Sequence, residues 1–413
     1  MQALTRLWHQ PRQSRLRQAL FQIHLWLGLI GGLLVGLVGF TGALVVYRVE
    51  MNYLTTPGTG YVTPQAQRKP LDDIIAAVLR EHPRDKVFNA AFDTGPDVAW
   101  NIRTTTPEGH RIHNFVDQYR GVLIGRDDYT NKFLQWLWSL HADLLAGKTG
   151  RLVNGWIAVG TLVLSLSGLV IWWPGRKLWR NGFTYLFGGR WQRQNYDLHK
   201  LAGFYSSLLL ALVSFTGAYF SFPDFYKTWT KNITRATNIG EPDPCATTGG
   251  PPAKTRMADR QISYEDYIRM AEKAMPGGTA VYISFPGTPG KGVGVKLKEE
   301  NDWHRVGLSN VYLEPATGEV LYVDQFSKNT LGTKFIKLML PLHFGRFGGR
   351  LGWGAFGNHL IMILYVLIGV GTLVLAVSGF LMYWNRSFVK KVRRWKAGPA
   401  PAASRPAPAG ATR

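Results

Sequence analysis

HLWLGLIGGLLVGLVGFTG, residues 24–42, and HKLAGFYSSLLLALVSFTG, residues 199–217, decide how this chain is read. Each opens on a histidine and closes on Phe-Thr-Gly, and the offset between them is a constant 175 residues. Small residues fall 4, 8, 12 and 15 places after each histidine: Gly28, Gly32, Gly36 and Gly39 in the first, Gly203, Ser207, Ala211 and Ser214 in the second. At 3.6 residues per turn those positions share one helix face. The small residues suit close helix packing and room for a flat cofactor equally well, since both need short side chains there.

Outward from these two segments the chain shows four stretches long and apolar enough to cross a bilayer, which takes about 20 residues. They are Ala19–Tyr47, Val153–Trp173, Leu201–Phe222 and Gly357–Trp384, each with Trp or Tyr at or near an end. The first is too long for a cleaved signal peptide and has no small-x-small site after it. The second and fourth spans also resemble each other. Both end alike, Leu166-Ser167-Gly168 with Trp172-Trp173 and Val377-Ser378-Gly379 with Tyr383-Trp384. Both follow a matching element, Phe133–His141 and Phe335–His343, and the second copy holds nine more residues between histidine and Ser-Gly. The expected fold is therefore a membrane protein, an all-α four-helix transmembrane bundle made from a duplicated two-span unit, with both units running in the same direction.

Charge gives the orientation. The net charge is +22, concentrated in three segments: four Arg and no acid in Met1–Leu20, six basic residues against Asp197 in Pro174–Lys200, and eight basic residues and no acid in Asn385–Arg413. Short basic segments stay in the cytoplasm, which puts both termini and the central linker inside, against anionic lipid. The basic pI thus reports topology, and nucleic acid is not an expected partner. Residues 51–133 and 223–335 are nearly neutral and lie outside. Both read as small α+β modules. The first has a helix over Pro70–Glu81 and strands at Val87–Phe92, Asp97–Thr104, Arg111–Val116 and Val122–Ile124. The second has a helix over Ile262–Met275, N-capped at Ser263 with Asp266 three residues on. Its strands fall at Ala280–Phe285, Gly292–Leu297 and Val306–Leu308, and a hairpin spans Val311–Val323. In domain terms the chain reads as 1–50 with span one, 51–133 outside, 134–173 with span two, 174–200 linker, 201–222 span three, 223–335 outside, 336–384 with span four, and a 385–413 tail, Pro/Ala-rich over Ala397–Ala411.

The chemistry lies in the histidines. His24 and His199 begin spans one and three, so both sit near the cytoplasmic face; His141 and His343 precede spans two and four, so both sit near the outer face. Ligand-type residues at membrane depth are costly and functional by default. The single cysteine, Cys245, rules out an internal disulfide, an iron–sulfur cluster and covalent haem attachment. Two histidines without Cys, Asp or Glu are poor for zinc, whereas haem needs one axial ligand per ring face. The expectation is two b-type haems, each held by two histidines: His24 with His199 inside and His141 with His343 outside. His359, near the outer end of span four, is an alternative to His343. Arg346 and Arg350 are candidates to hold haem propionates or substrate, or else are interfacial anchors. His110 and His113 fit a surface strand, and His9, His82 and His304 fit the surface. No nucleotide or flavin fingerprint is present.

Taken in order, His24-x-Trp-x-Gly with Phe40-Thr-Gly, Leu140-His141, Asp197-Leu-His199-Lys with Phe215-Thr-Gly, and Pro341-Leu-His343 resemble the PepSY-associated transmembrane-helix family of iron-regulated membrane proteins, which includes bacterial ferric-siderophore reductases. The resemblance runs from about Arg15 to Trp395. It implies PepSY-like external modules, an inner-membrane location, haem ligation at His24, His199, His141 and His343, and reduction of a ferric siderophore on the periplasmic side. The electron donor is then quinol or a cytoplasmic reductase. The alternative is a non-redox anchor whose modules bind or regulate an external partner such as a protease; a transporter ranks last, because no acidic residue lies mid-membrane.

Overall fold

The computed structural model describes residues 9, 11–55, 60–92, 95–128, 133–235, 252–287, 290–300, 302–304, 306–348, 354–388 and 392. Cys245, Arg350 and the segment Ala397–Ala411 lie outside the described residues.

The first apolar run folds as α1 (Arg15–Val45), which starts after Ser14 and continues through a short helix α2 (Arg48–Thr55). At 1.5 Å per residue α1 is about 46 Å long, so its ends reach past a hydrocarbon core of about 30 Å. Three more helices are long and apolar enough to span: α5 (Gly147–Trp172), α6 (Trp191–Ser221) and α10 (Gly354–Tyr383). Short helices precede or follow them. The helix α4 (Phe133–Asp143) leads into α5, α7 (Pro223–Thr234) leaves α6, and α9 (Leu331–Phe344) leads towards α10.

The bundle is cyclic. α1 packs against α10 and α5, and α6 packs against α5 and α10, so α1 and α6 face each other across the diagonal. Small residues set the closeness of the α1–α10 contact. A Cβ on Gly36 would lie 3.3 Å from the Ala376 Cβ, Gly32 faces the same alanine, and Gly39 is in direct contact with Thr372. Most of the small-residue stripe of α1 therefore serves helix packing, and only Gly28 faces α5, at Leu164.

Outside the bundle lies an antiparallel sheet. Its strands are β1 (Lys86–Ala91), β2 (Trp100–Thr105), β3 (Arg111–Asp117), β4 (Val122–Asp128), β5 (Gly278–Ser284), β6 (Val293–Glu299), β7 (Ser309–Leu313) and β8 (Val320–Asp324). The order is β4-β3-β2-β1-β5-β6-β7-β8. The two modules expected to be separate are one sheet, joined where Asn89, Ala90 and Ala91 pair with Ser284, Ile283 and Tyr282. The reason is physical: each module alone would leave β1 or β5 as an open edge, and pairing removes both. Val306–Leu308 is not a strand. Gly307 turns there with φ +74°, and Asp302 accepts hydrogen bonds from the Glu299 and Leu308 N–H groups.

Two helices cover one face of this sheet, α3 (Leu71–Glu81) and α8 (Tyr264–Ala274). Ile74, Ile75 and Val78 of α3 and Tyr267 and Ile268 of α8 are buried with Ile102 and Val295 of the sheet. The capping box of α8 forms as its sequence requires, Ser263 accepting from the Asp266 N–H. The two helices also cap each other. Asp72 of α3 accepts from the N–H groups of Tyr264 and Glu265, and Glu265 accepts from the Leu71 N–H at 2.8 Å. Arg68 grips Glu265 with both Nη atoms, at 3.1 and 2.7 Å.

Burial pushes the Glu265 carboxyl up, but Arg68 and the Leu71 N–H outweigh it and hold the group below the usual glutamate range. Its contribution is thus present above the unfolded value of about 4.3 and is lost as the pH falls through the depressed folded value. Glu265→Ala is expected to destabilise the sheet region by about 1–2 kcal/mol at neutral pH. Glu265→Gln should flatten the acid limb of a melting-temperature-against-pH curve; an unchanged acid limb would refute the assignment.

Candidate functional site: two facing histidine pairs

His24 on α1 and His199 on α6 meet across the bundle diagonal, ring centroids 6.5 Å apart and planes at 88°. The Nδ1 of His24 lies 3.0 Å from Ser167 Oγ on α5, and the Nδ1 of His199 lies 2.8 Å from Ser378 Oγ on α10. Both serine hydroxyls donate to carbonyls of their own helices, Ser167 to Leu164 and Ser378 to Val374. Their oxygens therefore accept from Nδ1–H, which leaves Nε2 of each ring with its lone pair free. The glycine after each serine makes the space: a Cβ on Gly168 would lie 3.4 Å from His24 Cε1, and one on Gly379 3.3 Å from His199 Cε1. The repeated Ser-Gly dipeptide is thus a seat for an imidazole.

The second pair is built the same way from different parts. His141 on α4 and His343 on α9 have ring centroids 6.3 Å apart and planes at 28°. The Nδ1–H of His141 donates to the Val38 carbonyl at 2.9 Å, and that of His343 to the Val213 carbonyl at 3.1 Å. Thr41 and Thr216 flank the same nitrogens, at 3.4 and 3.2 Å. Their hydroxyls already donate back to Val38 and Val213. Gly42 and Gly217 again provide the room, with a Cβ 2.9 Å from His141 Cε1 and 3.0 Å from His343 Cε1. Phe-Thr-Gly, which closes each of the two opening segments, is the seat of the imidazoles of this second pair. For all four rings, Nε2 makes no hydrogen bond among the described residues.

The helices carrying His141 and His343 are pinned. Asn154 donates to the His141 carbonyl at 2.7 Å, behind a turn in which Leu144 and Leu145 take φ values of 52° and 60°. Strain of that kind, about 1–3 kcal/mol per residue, persists only where the surroundings enforce it. On the other side Lys337 of α9 is buried, its ammonium 2.5 Å from Asp324 Oδ2 and 2.7 Å from the Leu308 carbonyl. This ion pair ties the helix of His343 to β8 of the sheet. Tyr365 of α10 donates to the Leu342 carbonyl beside His343.

The other residues singled out in the sequence fall elsewhere. His359 is exposed, its ring stacked on Tyr47 at 6.0 Å and 9°, so it does not join the pair of His141 and His343. Arg346 makes a bidentate ion pair with Glu50 at 2.9 and 2.8 Å and also donates to the Val46 carbonyl, so it acts as an anchor between α2 and the end of α9. His113 and His304 are buried, against the surface reading: His113 hydrogen-bonds Asn101 at 2.7 Å between β2 and β3, and His304 Nδ1 accepts from the Val306 N–H. Sequence reasoning passed over Ser167, Ser378, Thr41 and Thr216 as site residues. Their recurrence at matched spacing from the histidines was the available signal.

Among the described residues no three His, Cys, Asp or Glu side chains gather to hold a metal ion unaided. Two imidazole nitrogens facing each other can instead grip a metal from opposite sides when a planar ligand fills the other positions. Lys337→Met should cost about 3–5 kcal/mol by leaving Asp324 buried and unpaired, read as a fall in unfolding temperature in detergent. The double variant with Asp324→Leu should recover much of it; no recovery would show that the pair is not the cause.

No curated protein matches this chain at a significant level. Residues 21–386, a stretch holding both histidine pairs and the sheet, match the family model of the PepSY-associated TM region, and the chain is a multi-pass membrane protein belonging to that family.

Proposed function

We propose that this protein is an inner-membrane redox protein that holds two b-type haems, one between His24 and His199 and one between His141 and His343. It carries single electrons across the bilayer to ferric iron chelated by a siderophore on the outer side. The observation that carries this reading is the pair spacing. Two metal–imidazole bonds of about 2.0–2.1 Å plus the half-widths of two rings come to roughly 6 Å, against 6.5 and 6.3 Å between the ring centroids. The four Nδ1–H groups are committed to serine hydroxyls or carbonyls, so the donor set is four neutral imidazoles presenting Nε2, the form that iron takes. A bound haem supplies a one-electron iron couple whose potential is set by its ligands and surroundings.

The protein's own residues do the rest. The serine and carbonyl partners hold each ring in place and keep it basic. Val38 lies fourteen positions after His24, and Val213 fourteen after His199, so the two pairs lie about 21 Å apart along the helices. That distance divides the crossing into two short legs. The matching seats support a tandem duplication of one two-span unit, with the basic termini on the cytoplasmic side and quinol or a cytoplasmic reductase as donor. Outside, a cleft of about 730 Å³ lies at the sheet seam between Trp100, Arg68 and Tyr119 on one side and Thr279 and Lys298 on the other. It falls in the size range of small-molecule sites and is the candidate place for the ferric chelate.

Purified in detergent after haem supplementation, the protein should show a dithionite-reducible haem spectrum with about two haems per chain. His24→Ala or His199→Ala should remove one, His141→Ala or His343→Ala the other, and His359→Ala neither. Loss of either haem should abolish reduction of a ferric siderophore in proteoliposomes loaded with reductant. A protein that stays colourless overturns the proposal.

A further inference from the structure

We infer that the two histidine pairs are built to be electronically unlike, and that Ser167 and Ser378 are the positioning residues that make them so. The inference rests on the haem reading above and goes beyond it. The pairs match in spacing and in the tautomer of every ring, yet the inner planes cross at 88° while the outer planes lie within 28° of each other.

The cause is in the acceptors. Each outer ring gives its Nδ1–H to a main-chain carbonyl one turn before the glycine that seats it, Val38 before Gly42 and Val213 before Gly217. These carbonyls belong to the diagonal helices α1 and α6, and a helix carbonyl has a direction fixed by the helix. Each inner ring gives its Nδ1–H to a side-chain oxygen, on α5 for His24 and on α10 for His199. Those oxygens are fixed in turn, because Ser167 donates to Leu164, and Ser378 to Val374 and Leu375. Removing a serine hydroxyl deletes that contact and leaves each inner imidazole only the neighbouring main-chain carbonyl, Leu164 for His24 and Leu375 for His199, the kind of acceptor that the other pair uses. The glycines beside the rings leave space for them to turn.

Ring orientation matters to iron through its π-type d orbitals. Two parallel imidazoles act on the same orbital of the pair and split it widely, which gives a low-spin ferric spectrum with three resolved features. Two perpendicular imidazoles act on both orbitals alike and leave them nearly equal in energy, which gives one dominant feature at much lower field. Axial ligand and second-shell hydrogen bonding are the levers that the protein holds over a haem. Here one chain sets them differently at its two sites, so the inner site is the perpendicular one and the outer site the near-parallel one.

The test is low-temperature electron paramagnetic resonance on the oxidised, haem-loaded full chain. Wild type should show both classes of low-spin signal. His199→Ala should remove the low-field feature and keep the three-feature spectrum, and His343→Ala the reverse. Ser167→Ala combined with Ser378→Ala should retain haem but broaden or move the low-field feature towards the three-feature class, and Ser167→Thr with Ser378→Thr should restore it. If the alanine pair fails to hold haem, the wild-type and single-histidine spectra still decide. Haem that binds with one class of signal, a low-field feature that follows His343, or alanine variants with an unchanged spectrum would overturn this inference and leave the haem reading standing. A protein that takes up no haem sinks both.

Discussion

A histidine in a membrane bundle is useful as a ligand only if one of its nitrogens is already occupied. Four imidazoles here give Nδ1–H to a partner on another helix, and each lies over a glycine that leaves it room. That single arrangement fixes the tautomer, orients the ring and directs Nε2 away from the protein's own acceptors. A Cβ at Gly42 or Gly217 would crowd its ring, at 2.9 and 3.0 Å from Cε1, whereas one at Gly168 or Gly379 would only touch it. Much else in the bundle keeps these seats still. Close α1–α10 contacts at Gly36 and Gly39 hold the helix that carries His24 and the Val38 carbonyl, and the Lys337–Asp324 pair holds the helix that carries His343.

Each seat joins parts that are distant in the chain. His24 of the first span rests on the second, and His199 of the third on the fourth. His141 rests on the first span and His343 on the third. The strongest helix contacts, α1 with α10 and α6 with α5, instead cross between the two halves of the sequence. The pairs themselves cross as well, one ring from each half. Neither half alone contains a complete pair, so the proposed cofactor sites exist only in the assembled bundle. The sheet region follows the same logic, with β1 paired to β5 and the first turns of α3 and α8 capping each other.

Much of this was legible in residues. The apolar runs gave the four spans and their C-terminal ends to within two positions, but α5 and α6 begin six and ten residues before the expected starts, because a helix continues through polar residues that an apolar count leaves out. Ser263 with Asp266 marked the start of α8 because a capping box is a local device. The histidine pairing followed from duplication and topology. What the sequence did not show is non-local. The β1–β5 seam depends on two edges meeting, and no local pattern records that. Burial of His113 depends on Asn101 across a strand pair. Arg346 looked available until Glu50, nearly three hundred positions earlier, was found beside it. The small-residue stripe of α1 was ambiguous for the same reason, and the identity of its neighbour, α10, resolves most of it as packing.

The seam between β1 and β5 bears on how the chain is made. A ribosome delivers β1 to β4 and the first two spans well before β5 exists, and strand edges that wait unpaired invite wrong partners. The waiting edge is β1, where Ala90 and Ala91 will pair only with residues nearly two hundred positions later. Pairing at such separation is intrinsically slow. The sheet therefore cannot close until the third span and β5 have been made, and until then the first module stands with its β1 edge unpaired.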